Sequence, residues 1–297
     1  MIAGHLVWAK RPRKKATRPV PRKPCHVTTI LIGIVLPLIA VLGPAGPMDP
    51  PAPALAGNWR LTFHDEFNGT ALDRTKWSTT FPWGARTNGG NHELEYYSDN
   101  AFQVADGILR IQADKRPAQG FHYTSGIITS YASFALTYGY IEIRAKVPKG
   151  KGLWPSVWLA PTDQTWPPEI DILEIRGDKT DTNLMTNHYL RTPPPTPTKI
   201  MGDRFLDVPK PAQINLHWTG PDFSQGFHTF GLEWSKGRLV WYIDGIERFQ
   251  TSVGVPSQPM YLIANLAVGG DWSGSPDAVT PFPSYLDLAY IRVYQRP

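Results

Sequence analysis

The sequence predicts an all-β fold, a sandwich of antiparallel sheets, and three observations carry that prediction. From Trp59 onward, short runs rich in Val, Ile, Tyr, Trp and Thr are separated by Gly, Pro, Asn and Asp, as in strands joined by turns. Two Asp-Gly pairs, Asp106-Gly107 and Asp244-Gly245, each separate apolar runs, and Asp-Gly supplies the two positive-φ residues of a tight hairpin. No stretch of any length carries apolar residues at the spacing of an amphipathic helix. At 297 residues the chain can bury a large core, and sandwiches of roughly 200–250 residues fold as one domain.

Taken in order, the chain begins with a basic leader. Lys10, Arg11, Arg13, Lys14, Lys15, Arg18, Arg22 and Lys23 precede the first apolar run, with no acidic residue among them. Val27 to Leu42 then has the form of a signal-peptide core, short for a membrane span of about 20 residues. Export is the expected consequence; left uncleaved, the same segment would anchor the domain outside the membrane. Small residues suited to cleavage occur at Gly43 to Ala45 and at Ala54 to Ala56. Residues 1–46 are thus read as leader and signal, 47–56 as a Pro-rich linker, and 57–297 as one folded domain.

The formal net charge of +5 suggests an acidic partner, but removing the eight leader cations leaves 22 basic against 25 acidic side chains. Nucleic-acid binding by the folded part therefore loses its support. The single cysteine, Cys25, lies in the leader, so the folded part can form neither an intrachain disulfide nor a thiolate metal site or cysteine nucleophile.

Inside the domain, Phe102–Val104 with Ile108–Ala113, and Arg238–Ile243 with Ile246–Phe249, read as hairpins. Tyr140–Val147 alternates, with Ile141, Ile143, Ala145 and Val147 on one face and Glu142, Arg144 and Lys146 on a face that is wet or lines a cleft. Further strands are expected at Tyr123–Tyr131, Trp154–Leu159, Leu184–Leu190, His228–Trp234, Met260–Leu266 and Tyr285–Tyr294. Phe81–Asn91, Arg191–Phe227 and Gly269–Pro283 read as long loops, which in compact domains are often functional.

The run Trp166 to Arg176 sets three carboxylates among aliphatic residues. In an extended strand Glu169 and Asp171 share a face while Ile170 and Ile172 point the other way. Glu174 has the wrong parity unless Leu173 is the extra residue of a β-bulge, which would return Glu174 to the other acids and Ile175 to the buried face. Three carboxylates on one face cannot all ionise freely, so at least one keeps a proton near neutral pH. Glycoside hydrolysis uses such a set, one carboxylate attacking or stabilising the anomeric carbon and one protonated carboxyl serving the leaving oxygen. A solvated acidic face or a calcium site is the alternative reading of the run alone. Trp154, Trp158 and Trp166 stand just before the acids and would offer flat apolar platforms with an N–H for a sugar hydroxyl, or else core packing. His188 could orient a cleft carboxylate or a sugar.

Glu169-Ile-Asp-Ile-Leu-Glu174 resembles the bulged signature of glycoside hydrolase family 16, in its laminarinase-like form. The resemblance extends through Asp65-Glu-Phe-Asn-Gly69, Asn91-His-Glu-Leu-Glu-Tyr96, Tyr138-Gly-Tyr-Ile-Glu142, Gly152-Leu-Trp-Pro-Ser-Val-Trp158, Trp241-Tyr-Ile-Asp-Gly245, Asn265-Leu-Ala-Val-Gly-Gly270 and Tyr290-Ile-Arg-Val-Tyr294. It implies a β-jelly-roll of two curved antiparallel sheets with a concave polysaccharide cleft. It also implies a retaining endo-β-glucanase, acting on β-1,3- or mixed β-1,3-1,4-glucan, with Glu169 as nucleophile, Glu174 as acid/base and Asp171 as helper. By the same route Trp154, Trp158 and Trp166 become sugar platforms, and Asn91 and His188 polar contacts. A transglycosylase, a depolymerase of another polysaccharide and a non-catalytic glucan-binding protein are the competing readings. The expected partner is a polysaccharide, met by a monomer that needs no cofactor. One departure concerns calcium: the family often has an Asp where this chain has Ala289, and whether Asp287 substitutes is open at this level.

Overall fold

Two large antiparallel sheets build the computed structural model, which describes residues 57–191, 199–200, 204–205 and 210–297. The leader, the apolar segment 27–42, the linker and both cleavage sites lie outside the described residues. In chain order the strands are β1 (Arg60–Asp65), β2 (Glu95–Tyr97), β3 (Phe102–Ala105), β4 (Ile108–Ala113), β5 (Tyr123–Ser125) and β6 (Ile127–Thr129). Next come β7 (Gly139–Lys146), β8 (Leu153–Pro161), β9 (Glu169–Glu174), β10 (Thr182–Arg191), β11 (Lys199–Ile200) and β12 (Arg204–Phe205). The last six are β13 (Lys210–Thr219), β14 (His228–Ser235), β15 (Arg238–Ile243), β16 (Ile246–Thr251), β17 (Met260–Val268) and β18 (Ser284–Gln295). A single 3-10 turn at Gly89–Asn91 is the helical element among the described residues, none of which form a helix able to cross a membrane.

One sheet runs β16-β15-β14-β7-β18-β4-β3, with β1 also paired to β18; the other runs β13-β10-β9-β8-β17-β6. Between them lies one apolar core, with Ile141, Ile143, Ile291 and Val293 from the first meeting Val157, Leu159, Ile170 and Leu262 from the second. The all-β sandwich read from the sequence is the fold observed. Both Asp-Gly hairpins form, with φ of 54° and 71° at Asp106 and Gly107 and 51° and 73° at Asp244 and Gly245. The aliphatic face of β7 is core, and its Glu142, Arg144 and Lys146 face lies on the outer sheet, away from the cleft.

Two expectations need correction. Tyr123–Tyr131 is two strands, broken at Gly126, and β5 leaves to pair in parallel with β2. A Cβ at Gly126 would come within 2.8 Å of both Ile111 and Phe102, so the chain can cross against β3 and β4 only without a side chain. The second concerns Arg191–Phe227, which is not all loop. It contains the ten-residue strand β13, in full register with β10 from Thr182↔Thr219 to Arg191↔Lys210.

On β18 the register shifts between Leu288 and Tyr290, leaving Ala289 unpaired. That bulge breaks the parity linking Asp287 to Ala289. Asp287 is buried, with Lys146 Nζ at 3.3 Å and Arg110 Nε at 3.5 Å. Its charge is already met by two cations, and Ala289 offers no oxygen ligand from its side chain, so this pair does not suit a calcium ion.

Candidate active site

Strand β9 lies inside the cleft sheet, between β8 and β10. Trp158 stands opposite Asp171 and Ser156 opposite Glu174 on one side; Thr186 stands opposite Asp171 and His188 opposite Glu169 on the other. Between the two β8 pairs, Val157 faces Leu173 and the register then skips Ile172. The bulge required by parity is therefore present, but its unpaired residue is Ile172, because Leu173 keeps Val157 as partner. Both aliphatic residues are buried. Positions 156 and 158 share a face of β8, so their partners Glu174 and Asp171 also share one, and all three acids border a common recess.

A bulge leaves backbone groups without ladder partners, and here two side chains supply them. Asn183, fully buried, accepts from the Glu174 N–H at 2.9 Å and donates to the Ile172 carbonyl at 3.1 Å. Trp241, reaching across the core from β15, donates its Nε1–H to the Asp171 carbonyl at 2.8 Å. The opposite sheet thus braces the strand that carries the acids.

Above β9 opens a cleft of about 660 Å³, lined by every residue singled out from the sequence except Asp171, which lies deeper. All three expected tryptophans are there, but their indole N–H groups point inward. Trp154 donates to Glu174 Oε1 at 3.2 Å, Trp166 to Glu169 Oε2 at 3.2 Å, and Trp158 to Asn265 Oδ1 at 2.9 Å. The expectation that these N–H groups await a sugar is corrected: two position carboxylates and one ties β8 to β17. His188 brings Nε2 to 3.3 Å from Glu169 Oε1 and 3.2 Å from Asp171 Oδ2. Asn91 sits at the rim, its Nδ2 bonded to Glu93 Oε1 at 3.0 Å.

Other cleft residues escaped the sequence reading. Gln213, Asn215 and His217 project from β13, and Trp272 packs 5.2 Å from Trp154. The alternation of Gln213, Asn215 and His217 with Ile214, Leu216 and Trp218 was the available signal, hidden by the prolines nearby. Behind the acids, the small recess is bordered by Glu93 and Asn265. Tyr97 OH donates to Glu93 Oε2 at 3.1 Å and receives Asn265 Nδ2 at 3.0 Å. Fully buried Glu95 accepts from the Val268 N–H at 2.7 Å. Burial raises the pKa of both Glu93 and Glu95, and the charge of Glu93 pushes Glu95 further up, so Glu95 keeps its proton.

The trio is ranked by its surroundings. Burial and then the neighbouring Asp171 push Glu169 up to about 8, with the His188 charge and the Trp166 N–H opposing. Burial, Asp171 and Glu169 drive Glu174 well above the carboxylate range, opposed by the Trp154 N–H alone. Two groups thus favour charge on Glu169, His188 and the Trp166 N–H, and one, the Trp154 N–H, favours it on Glu174. Burial works against a charge on His188, but Asp171 and Glu169 outweigh it and raise its pKa. Ligand atoms of Glu169, Asp171 and His188 lie within 4.8 Å of one another, close enough for a divalent cation to compete with this proton chemistry.

Residues 89–281 match the model of glycosyl hydrolases family 16. The chain belongs to that family. This family 16 chain is 35% identical over 256 residues to an endo-1,3-1,4-beta-glycanase of Rhizobium meliloti, covering 78% of this chain and 51% of that protein. It is 34% identical to a beta-glucanase of Rhodothermus marinus, covering 81% and 86% of the two chains. Among solved structures, the laminarinase catalytic domain of Thermotoga maritima superposes with a TM-score of 0.69 at 34% identity, over 81% of this chain and all of that one. The chain spans about half the length of the first of these curated relatives.

Proposed function

We propose that this family 16 chain is an endo-acting β-glucan hydrolase that cuts β-1,3 or mixed β-1,3-1,4 linkages with retention of configuration. The carrying observation is the indole-held pair, Glu169 bonded to Trp166 and Glu174 to Trp154, with Asp171 between them on β9. In this reading ionised Glu169 attacks the anomeric carbon while protonated Glu174 gives its proton to the leaving oxygen. A glycosyl-Glu169 ester forms, and Glu174, now a carboxylate, takes a proton from the water that cleaves it. His188 and Asp171 act on Glu169, the imidazolium favouring its charge and Asp171 opposing it.

The described cleft lining contains no Lys or Arg, which supports a neutral polymer over a sulfated or carboxylated one. Export through residues 27–42 and a monomeric state belong to the same reading, since a polymer outside the cell must be met there. So does independence from calcium, supported by the two cations on Asp287. The melting temperature should be equal in excess EDTA and in calcium; a fall of several degrees in EDTA would overturn that point.

The central test is incubation with laminarin, lichenan, agarose and xyloglucan. Laminarin or lichenan should yield oligosaccharides whose new reducing ends are first β by NMR, and Glu169→Gln should lower turnover at least about 10³-fold. Near wild-type turnover in Glu169→Gln would sink the mechanism. Products longer than the substrate would instead indicate transglycosylation.

A further inference from the structure

We propose that Trp83 forms a sugar-binding platform of its own, away from the acids, which grips a neutral glucan chain long enough to reach it. This rests on the reading of the cleft as a glucan site and extends it to a loop that the chemistry leaves unused.

Trp83 is 57% exposed, unusual for an indole, yet it is held firmly. Its ring stacks on Phe81, centroids 4.7 Å apart and planes 9° from parallel. Phe81 is itself buried, with Tyr97 at 6.0 Å and Trp158 at 6.4 Å. One face of the indole is therefore covered and the other is open. The turn beneath is closed by hydrogen bonds from Gly84 N to Phe81 O at 2.9 Å and from Phe81 N to Ala85 O at 3.1 Å. Arg86 then fixes the end of the loop, reaching the Tyr97 carbonyl at 2.7 Å and Asp99 at 2.9 Å. Trp83 and Phe81 both line the cleft.

An apolar face kept rigid and wet at the end of a polysaccharide cleft suits the C–H face of a pyranose. Unlike Trp154, Trp158 and Trp166, Trp83 has no hydrogen-bond partner for its Nε1–H among the described residues, so that donor is free for a hydroxyl. From Trp158, opposite Asp171, the ring contacts pass through Phe81 to Trp83, so Trp83 stands two rings from the residue paired with the acid-bearing strand. In this proposal the sugar on Trp83 is a neighbour in the chain of the one whose bond is cut. Its binding energy is the same in ground and transition states and appears in KM, not in kcat.

The test is a length series of β-1,3-gluco-oligosaccharides with laminarin as the longest member, cleaved by wild type, Trp83→Ala and Trp83→Phe. In Trp83→Ala the ratio of kcat/KM on laminarin to that on the shortest cleaved oligomer should fall about tenfold through KM, and Trp83→Phe should restore most of it. An equal loss at every length, or no loss, would overturn the platform. Native gels containing laminarin, lichenan or xyloglucan read the same claim without turnover. Equal retardation of wild type and Trp83→Ala in all three would overturn it even if no glucan is cleaved, and cleavage failure alone would count only against the proposed hydrolysis.

Discussion

Glu169 and Glu174 are chemically identical side chains five residues apart, set among different neighbours. Trp166 and His188 favour charge on Glu169, whereas Glu174 has the Trp154 N–H and two acidic neighbours. The rising limb of kcat/KM against pH should then follow ionisation of Glu169, above the ordinary carboxylate range. Substituting His188→Ala removes a cation that lowers this pKa, so that limb should move to higher pH, by about one unit. A limb that stays in place would show that no charge on His188 is felt at Glu169. The acids and their grouping were legible from parity, because a strand has only two faces and one extra residue restores the third acid. The partners of the indole N–H groups were not, since Asn265 lies far along the chain from Trp158.

At the level of the strand, side chains serve three backbone groups around the bulge: Asn183 takes the Glu174 N–H and the Ile172 carbonyl, and the Trp241 indole from the far sheet takes the Asp171 carbonyl. Trp241→Phe keeps the ring in the core and deletes that bond to the buried Asp171 carbonyl. A loss of about 1–3 kcal/mol in stability is expected. If Trp241 also positions the trio, kcat should fall about tenfold or more with KM little changed. Full kcat at a reduced melting temperature would leave Trp241 a purely structural brace. The need for a bulge could be read from the sequence, but its position could not. Ile172 and Leu173 are both apolar and both buried, so only the pairing with Val157 separates them. β13 was lost for another reason: strand signals weaken where prolines crowd the flanks.

Across the whole molecule the sandwich was plain in the sequence because short β-rich runs are punctuated by turn residues, strands such as β4 and β7 alternate, and two hairpins carry Asp-Gly. The order of strands in each sheet was not, since non-local pairing leaves no local mark. One stability consequence follows from the buried acid beside the recess. Glu95 has a folded pKa well above 4.5, so the folded state holds a proton that the unfolded chain releases as pH rises. The contribution of Glu95 to stability is therefore fully present below its unfolded pKa and is lost as pH rises toward the folded pKa, with a slope of about 1.4 kcal/mol per pH unit at most. Glu95→Gln removes that slope. Thermal melts should show the variant gaining stability relative to wild type as the pH rises from 5 to 7. A difference that does not grow with pH would mean that Glu95 ionises freely in the folded protein.

The placing of β13 has a consequence for how such an enzyme could change its diet. Gln213, Asn215 and His217 sit on the outermost strand of the cleft sheet, paired to β10 alone, while the acids sit on a strand enclosed on both sides and braced from behind. Rewriting the edge disturbs one paired strand; rewriting the centre disturbs two paired strands and the Trp241 brace. If the proposed reaction holds, substitutions on β13 should change which glucan is preferred while the acids on β9 keep their surroundings.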